Sequence, residues 1–309
     1  MARYTALEEN QLTTLRQGEI RMTNTFDLLR NKREKRYQWV MIVIGVLLWF
    51  AIARAIYNHW NDPKAGHFVH LYVGYGIAAA IFYWLASAGY RASAFGNMVL
   101  LSNEQFPEFH AMVVEASREI GLSEPPKTFI YNSNGIFNAF ARRLLGGRYV
   151  FLTGALVEAN SDAQVRFVIG HELGHHAAGH LNPWINGLKL PAHVVPFLGK
   201  AYSRSREYTC DSIGAYLSKD THASRGALQM LGCGCRRLNA SMESKAFMAQ
   251  EKMVPPIFGF LTEICRTHPR LTRRVAAIND SVANHAHGGF ENASREPQFN
   301  VGSHALDSE

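Results

Sequence analysis

Two long apolar runs near the N-terminus most constrain how this chain can fold. Between Tyr37 and Tyr90 the only charged side chains are those of Arg54, Asp62 and Lys64. A helix needs about 20 mainly apolar residues to cross a hydrocarbon core about 30 Å thick. The second run, His70–Tyr90, meets this length without a charge, and the first meets it if Arg54 snorkels to the interface. The sequence therefore predicts two membrane-spanning helices within residues 37–90; two buried core helices are the alternative.

Basic residues before the first run set the predicted orientation. Five Lys and Arg residues lie between Arg30 and Arg36, whereas the link Asn58–His67 carries only Lys64. The positive-inside rule then places the N-terminus in the cytoplasm, and a hairpin of two spans returns the chain to that side. The four cysteines of the chain fit reduced thiols in that compartment. We expect a multi-pass protein of the cell (inner) membrane whose remaining residues lie on the cytoplasmic side.

Composition divides the chain into four parts. Residues 1–36 form a basic arm, 37–90 the two spans, 91–283 a folded domain, and 284–309 a tail rich in Gly, Asn, Ser and His that is predicted to be disordered. The net charge of +7 comes without a basic stripe interleaved with aromatic residues, so we predict no nucleic-acid partner. The basic arm is instead interpreted as attracted to anionic lipid of the bilayer.

Apolar periodicity and capping residues predict a mainly α fold with a small β-sheet (α+β). Ser161 and Gln164 have the spacing of a capping box at the start of a helix that runs to about Gly179. Three prolines make residues 183–202 resemble a loop. The other predicted elements are helices at Gln105–Gly121, Ala201–Leu217, Ala223–Arg236 and Leu271–Asn279, strands at Thr128–Tyr131 and Tyr149–Thr153, and a strand or loop at Asn138–Leu145.

The capped helix contains the motif with the clearest chemistry, HELGH at His171–His175. The i, i+4 spacing places both imidazoles on one helical face, where they can bind one ion. Glu172 lies about 100° round the helix and can face a water on that ion. This is the arrangement of a zinc hydrolase, in which neutral imidazoles hold Zn²⁺ and a carboxylate takes a proton from water. A second histidine pair, His176 and His180, has no acid between its members, and we expect it beside the site or on the surface.

A third metal ligand must come from elsewhere in the chain. The longer pattern HExxHxxGxxH requires histidine at position 181, which is Leu181, and His180 is one place off. The first acid downstream is Glu207, followed one helical turn later by Asp211. Glu207 can therefore coordinate the metal while Asp211 accepts a proton from a ligand imidazole. The alternative is that Glu207 pairs with a neighbouring arginine on the surface.

Four segments together resemble the HtpX-like and CaaX-prenyl-protease family of membrane zinc metallopeptidases. They are NAFA at Asn138–Ala141, HELGH at His171–His175, SRSREYTCD at Ser203–Asp211 and THPRLTRR at Thr267–Arg274. They occur in the family's order and cover well over half of the chain. The resemblance implies a gluzincin-like metallopeptidase domain behind the two spans, with one Zn²⁺ per chain.

The resemblance also implies roles for individual residues. Glu207 corresponds to the third ligand beside His171 and His175, and Asp211 to the carboxylate that supports a ligand. His268 and Arg274 correspond to groups that stabilise the oxyanion of the intermediate, and they join Glu172 as catalytic residues. Residues Asn138, Ala139 and Phe140 correspond to a substrate-binding segment, which together with strand Tyr149–Thr153 would offer an edge for an extended peptide.

The sequence departs from the family at two places. Cys210 stands where the family usually has alanine, a change between small residues. The HtpX-like members of the family have two further spans between the HExxH helix and the third-ligand helix. In this chain the same interval, residues 183–202, is too short for such a hairpin. They would instead dip into the membrane interface.

We therefore predict a zinc-dependent endopeptidase that cleaves internal peptide bonds of misfolded membrane proteins. One alternative is a zinc-binding membrane chaperone or scaffold with weak proteolysis, which would bind metal without turnover. Another is an intramembrane protease, which would need HExxH within an apolar span. Asp162 and Arg166 make the helix too polar for that. The oligomeric state does not follow from the sequence.

Overall fold

The computed structural model describes residues 27–278; most of the predicted basic arm and the whole predicted disordered tail lie outside the described residues. The fold class is confirmed, because helices predominate around one small sheet. The helices are α1 (Lys32–His59), α2 (Gly66–Asn97), α3 (Pro107–Glu119), α4 (Gly154–Ala159), α5 (Asp162–Ala177), α6 (Pro183–Lys189), α7 (Leu198–Ser218), α8 (Thr221–Cys233), α9 (Arg236–Ala240), α10 (Ser244–Ala249), α11 (Pro256–Ile264) and α12 (Leu271–Ala277). The strands are β1 (Val99–Leu100), β2 (Lys127–Tyr131), β3 (Ala139–Leu144) and β4 (Gly147–Thr153).

The two apolar runs form α1 and α2, which are both long and apolar enough to cross a membrane. Helix α1 begins at Lys32, earlier than the arm boundary at residue 36 predicted from the sequence. Its start is fixed by Asn31, whose side chain accepts a hydrogen bond from the Arg33 N–H. The last turn of the predicted arm is therefore the first turn of the helix.

The sheet has the order β1-β2-β4-β3 among the described residues. Strands β2 and β4 are parallel, and β3 is antiparallel to β4. The β3–β4 hairpin turns through Leu145 and Gly146, whose φ angles of +48° and +84° are those of a two-residue type I′ turn. Because β4 lies inside the sheet, the expectation that Tyr149–Thr153 offers an edge to a peptide is wrong. The free edge on this side belongs to β3.

Helices α5 and α7 pack against each other through an unusually close backbone approach. A Cβ added at Gly170 would lie 3.0 Å from the Cα of Gly214, and one added at Gly214 would lie 2.7 Å from the Phe167 carbonyl oxygen. Around this contact, fully buried apolar side chains from both helices form the main core: Ile169, Leu173, Ile213 and Leu217. This packing brings the histidine face of α5 against the acidic face of α7.

The proline-containing stretch between α5 and α7 is more regular than the loop predicted from its prolines. It forms α6 and a 3₁₀ turn at Leu190–Val194. Asn182 caps α6 by accepting hydrogen bonds from the N–H groups of Trp184 and Ile185. Pro183 occupies the first position of the helix, where its missing N–H costs no hydrogen bond. The prolines therefore begin short helical segments here.

Candidate metal centre

Helix α5 presents its histidines from a well-fixed start. The capping box expected from Ser161 and Gln164 is present, with both reciprocal hydrogen bonds formed. One turn apart on the inner face, the rings of His171 and His175 have centroids 5.3 Å apart. The sequence-predicted pair therefore converges on one point.

His171 is held from within the domain. Its Nδ1 lies 3.0 Å from Oδ1 of Asp211, which in turn receives two hydrogen bonds of 2.8 and 2.7 Å from the Arg274 guanidinium. Burial alone would raise the pKa of Asp211, but Arg274 and His171 outweigh it and lower the pKa to about 2. The charged carboxylate leaves Nε2 of His171 free to face Glu207, whose Oε2 lies 3.6 Å away.

His175 is held by a longer chain of contacts that ends on α1. Its Nδ1 lies 3.0 Å from Nδ1 of His180, and Nε2 of His180 lies 3.1 Å from Oε1 of Glu34. The second contact does not have the geometry of a hydrogen bond, so it is a close polar contact between the ring and the carboxylate. The Glu34 carboxylate is fully buried and also accepts hydrogen bonds from Arg30 and from the Thr209 hydroxyl. Of the two predicted positions of His180, beside the site or on the surface, the structure shows the one beside the site.

The donor atoms fit a zinc ion with Glu207 as the third ligand. Oε1 of Glu207 lies 3.9 Å from Nε2 of His175, and Oε2 lies 3.6 Å from Nε2 of His171. Zinc bonds of about 2.0–2.1 Å in a tetrahedron separate ligand atoms by about 3.3 Å, so small side-chain movements would close the site. Three buried carboxylates, those of Glu172, Glu207 and Asp211, lie at the site beside two guanidinium groups, those of Arg206 and Arg274. The surplus of negative charge suits a divalent cation.

Cys210 is a competing donor by distance, because its Sγ lies within 4.8 Å of ligand atoms of His171 and His175. The geometry favours Glu207 instead. The thiol is fully buried, and its Sγ lies 3.7 Å from Nδ1 of His180, the atom that contacts Nδ1 rather than Nε2 of His175. The Glu207 carboxylate lies near Nε2 of both histidines, so we expect it rather than the thiol to be the third ligand.

Glu172 lies beside the two histidines and is almost fully buried. Burial raises the pKa of Glu172 to about 7, within the range in which a carboxylate can take and return a proton near neutral pH. Its carboxylate lies near the backbone N–H of Ala141 on β3. Glu172 thus lies between the two histidines and the free edge of β3.

A cavity of about 480 Å³ brings most of the predicted site residues together. Its polar wall holds His171, Glu172, His175, Glu207, His268 and Arg274, and its β3 side holds Asn138, Ala139 and Phe140. The His268 side chain is 64% exposed, and its Nε2 lies 3.7 Å from Oε2 of Glu207. Arg274 is buried and is mainly engaged with Asp211, with one nitrogen 3.5 Å from Glu207. Asp211 does not line the cavity and contacts the site through His171.

Sequence reasoning missed Glu34 and Thr209. Glu34 lies in the predicted basic arm and is the only acid between Arg30 and Arg36, so the sequence gives it no role at the site. The available signal is an acid among basic residues at the start of an apolar run, where a buried carboxylate needs specific partners. Its partners on α5 and α7 lie far away in the chain and have no local sequence pattern that points to α1.

The site thus has two imidazoles, a carboxylate that can serve as the third ligand, and a buried glutamate beside them. This combination is typical of zinc hydrolases. A model of Peptidase family M48 matches residues 103–185 and 186–282, which is more than half of the chain. The chain therefore belongs to Peptidase family M48.

Individual relatives agree with this family. The chain is 27% identical over 172 residues to plastoglobule-localized metallopeptidase 48, chloroplastic, of Arabidopsis thaliana, covering 51% of this chain and 49% of that protein. It is 26% identical over 204 residues to a protease HtpX homolog of Methanopyrus kandleri, covering 54% of this chain and 64% of that one. The matches thus span about half to two thirds of these relatives. Among solved structures, S. mikatae Ste24p aligns with a TM-score of 0.46 at 14% identity, covering 78% of this chain and 66% of that one.

Proposed function

We propose that the protein is a zinc-dependent endopeptidase anchored in a membrane by α1 and α2. One observation carries the proposal: the Nε2 atoms of His171 and His175 face one carboxylate, that of Glu207, beside the buried Glu172. Membership of Peptidase family M48 and the metallopeptidase relatives support it.

His171, His175 and Glu207 would hold the zinc ion, which when bound polarises the scissile carbonyl and acidifies water. Glu172 accepts a proton from the attacking water and returns it to the departing amine, so no proton is left over. Asp211 keeps the Nδ1–H of His171 in place, and Arg274 keeps Asp211 charged. The exposed His268 can move to donate to the oxygen on which negative charge develops.

The substrate is an extended polypeptide that lies along β3. The free edge of β3 borders the cavity, and backbone pairing at such an edge is independent of sequence. Apolar residues also line the cavity, among them Phe167, Val168, Leu228 and Leu231. A large apolar side chain next to the scissile bond would fill it. Misfolded membrane proteins, which expose such residues, are the substrates we propose.

The orientation proposed from the basic flank places the catalytic domain on the cytoplasmic side of the inner membrane, with Asn58–His67 on the far side. A reporter active only in the cytoplasm, fused after Glu309, should be active. A silent reporter, together with labelling of Cys235 by an impermeant thiol reagent on intact cells, would reverse the orientation.

Replacement of the general base tests the activity. Purified Glu172→Gln should keep the zinc content of the wild type and lose casein digestion by about 10²–10⁴-fold, because the ligands remain and the base is gone. The matched control is Glu158→Gln, an exposed glutamate on α4, which should keep both zinc and turnover. Equal digestion by Glu172→Gln and wild type would reject the protease. A wild type that binds zinc without digesting casein or a membrane protein would favour the chaperone alternative.

A further inference from the structure

The segment Pro183–Phe197 lies along the membrane helix α1. Trp49 donates its indole N–H to the Gly187 carbonyl over 2.9 Å. Gly45 packs so closely that an added Cβ would overlap the Leu188 carbonyl oxygen. Met41 is buried in a small cluster with Ala192. The segment is thus in contact with α1 over at least two helical turns.

These contacts occur inside the apolar part of α1. The last basic residue before the apolar run is Arg36. At about 1.5 Å per residue, Met41 lies about 7 Å and Trp49 about 20 Å beyond it along the helix axis. Half of a hydrocarbon core is about 15 Å thick, so a span that starts near Tyr37 places Met41 and Gly45 in the nearer leaflet and Trp49 near the middle of the core. Whatever packs on Trp49 must lie at the same depth.

The outer surface of the segment has the chemistry that lipid requires. Large apolar side chains point away from the protein: Trp184, Leu188, Leu190, Val194 and Phe197, of which Trp184 and Val194 are 83% and 73% exposed. The single lysine of the segment, Lys189, is turned inward, with Nζ 3.0 Å from the Tyr202 hydroxyl. Helix α6 and the 3₁₀ turn satisfy much of the backbone locally, which an apolar medium demands. His193, the other titratable residue, lies against Gly199 at the end of the turn.

A second apolar surface lies where α1 leaves the domain. Helix α11 exposes Ile257, Phe258 and Phe260, and its Phe260 shares a groove with Tyr37 of α1. Its one acid, Glu263, is turned inward and pairs with Arg270 and Arg273. This surface is therefore placed at the level of the membrane interface.

We propose that Pro183–Phe197 is embedded in the lipid leaflet on the catalytic side and returns to that side, while α11 lies at the leaflet surface. The occupant of both surfaces is lipid, because they continue the lipid-facing surface of α1. This inference rests on the proposed anchoring by α1. Since Leu181 lines the cavity and Trp184 follows three residues later, the active site opens beside the bilayer, and the cleaved bonds lie next to a membrane surface.

Nitroxide labels on the full-length protein in phosphatidylcholine–phosphatidylglycerol vesicles test the depth. The background carries serine at Cys233, Cys235 and Cys265, and the buried Cys210 is retained. Labels are placed at Leu190→Cys and Phe258→Cys. Val43→Cys, exposed on α1, is the lipid control, and Ser123→Cys, in an exposed turn before β2, is the water control.

The label at Leu190→Cys should collide with oxygen and not with a water-soluble nickel chelate, matching Val43→Cys. The label at Phe258→Cys should fall between the two controls. If Leu190→Cys meets the nickel chelate as freely as Ser123→Cys while Val43→Cys stays protected, the embedding is overturned and the anchor survives. If Val43→Cys is itself accessible to the chelate, the anchor proposal falls, and the embedding with it.

A second inference comes from the buried Glu34. The contacts run in one direction: His175 can donate its Nδ1–H to Nδ1 of His180, and the Nε2–H of His180 then faces the Glu34 carboxylate at 3.1 Å. Such an arrangement fixes the tautomer that leaves Nε2 of His175 free for a metal. Thr209 and Asn31 tie the same carboxylate to α7, since the Asn31 N–H donates to the Thr209 hydroxyl over 3.0 Å.

We infer that Glu34 is a positioning residue for the metal ligand His175, so that the membrane helix α1 completes the metal centre. A merely structural Glu34 would affect folding but not the zinc affinity of the folded protein. Outer contacts of this kind usually contribute 10–100-fold to metal affinity; Glu34 acts through His180, so we expect about tenfold.

Competition with a zinc chelator on the full-length protein in detergent measures the effect. Glu34→Gln should weaken zinc binding by about tenfold, and the milder Thr209→Val by less. The control is Asp27→Asn, an exposed acid paired with Lys35 just before α1, which should leave the zinc dissociation constant unchanged. Thermal unfolding of the metal-free proteins is recorded in parallel. Unchanged zinc affinity in both folded variants, even with lowered unfolding temperatures, would overturn the inference.

Discussion

His171 and His175 lie one turn apart on α5, yet their Nδ1 atoms meet different kinds of partner. His171 contacts the carboxylate of Asp211 directly, and that carboxylate is clamped by Arg274 within the same domain. His175 contacts a neutral ring, that of His180, and the carboxylate behind that ring belongs to α1. Burial lowers the pKa of both His175 and His180, which favours two neutral imidazoles in a row.

The difference shows that the two histidines of the proposed metal centre are supported differently, one from within the domain and the other from the apolar helix α1. The direct carboxylate contact of His171 is charge-assisted and fixed by two further hydrogen bonds. The support of His175 passes through two contacts, one of them poorly aligned. We therefore expect the His171 side to contribute more to metal affinity and the His175 side to respond to how α1 is packed.

The largest effect should come from Glu207, which faces both histidines. Glu207→Ala removes the third ligand, so zinc measured after gel filtration should fall well below the wild-type stoichiometry, and digestion should be lost with it. Adding excess zinc should restore little activity, since two histidines alone leave the site open. A variant that retains one tightly held zinc would give the third-ligand position to Cys210 or Asp211.

The next effect separates the two supports. Asp211→Asn keeps the shape of the side chain but removes the charge that faces His171 and Arg274. We expect zinc affinity to fall by about 10–100-fold, more than for Glu34→Gln, because the contact with the ligand is direct. Chelator competition on both variants makes the comparison. Equal losses, or a larger loss for Glu34→Gln, would contradict the ranking of the two supports.

The smallest effect concerns the segment that carries His268 and Arg274. Burial alone would raise the pKa of Glu251, but hydrogen bonds from Arg270, Thr272 and Arg273 outweigh it and lower the pKa to about 2. Because the pKa is lower in the folded state, the charged carboxylate stabilises the fold at pH values above the unfolded pKa near 4.5. This stabilisation is lost as the pH falls towards 2.

Glu251→Gln should therefore lower the free energy of unfolding by about 1 kcal/mol or less at pH 7, since the pairs are partly exposed and screened by solvent. The difference between the variant and the wild type should shrink below pH 4.5. Urea unfolding at pH 7 and pH 3 measures it, and zinc affinity at pH 7 should not change. A difference that stays constant down to pH 3 would show that the charge of Glu251 is not responsible.

Local patterns in the sequence were sufficient for much of the fold. The capping box at Ser161 and the i, i+4 spacing of His171 and His175 depend on residues within one or two turns, so helix geometry alone determines them. The same holds for the two apolar runs, which lie within α1 and α2. Residues 183–202 are the exception: their prolines predict a loop, but proline at the first position of a helix favours helix formation while proline inside one prevents it.

The sequence by itself determined where the metal-binding helix lies, that two apolar helices precede it, and which acids could complete the site. Only the tertiary structure decided that Glu207 rather than Cys210 faces both Nε2 atoms, that β3 rather than β4 has the free edge, and that Glu34 reaches the site. Glu34 and Thr209 are 175 positions apart in the chain. Their contact depends on how α1 packs on α7, and no local propensity or periodicity records the packing of distant segments.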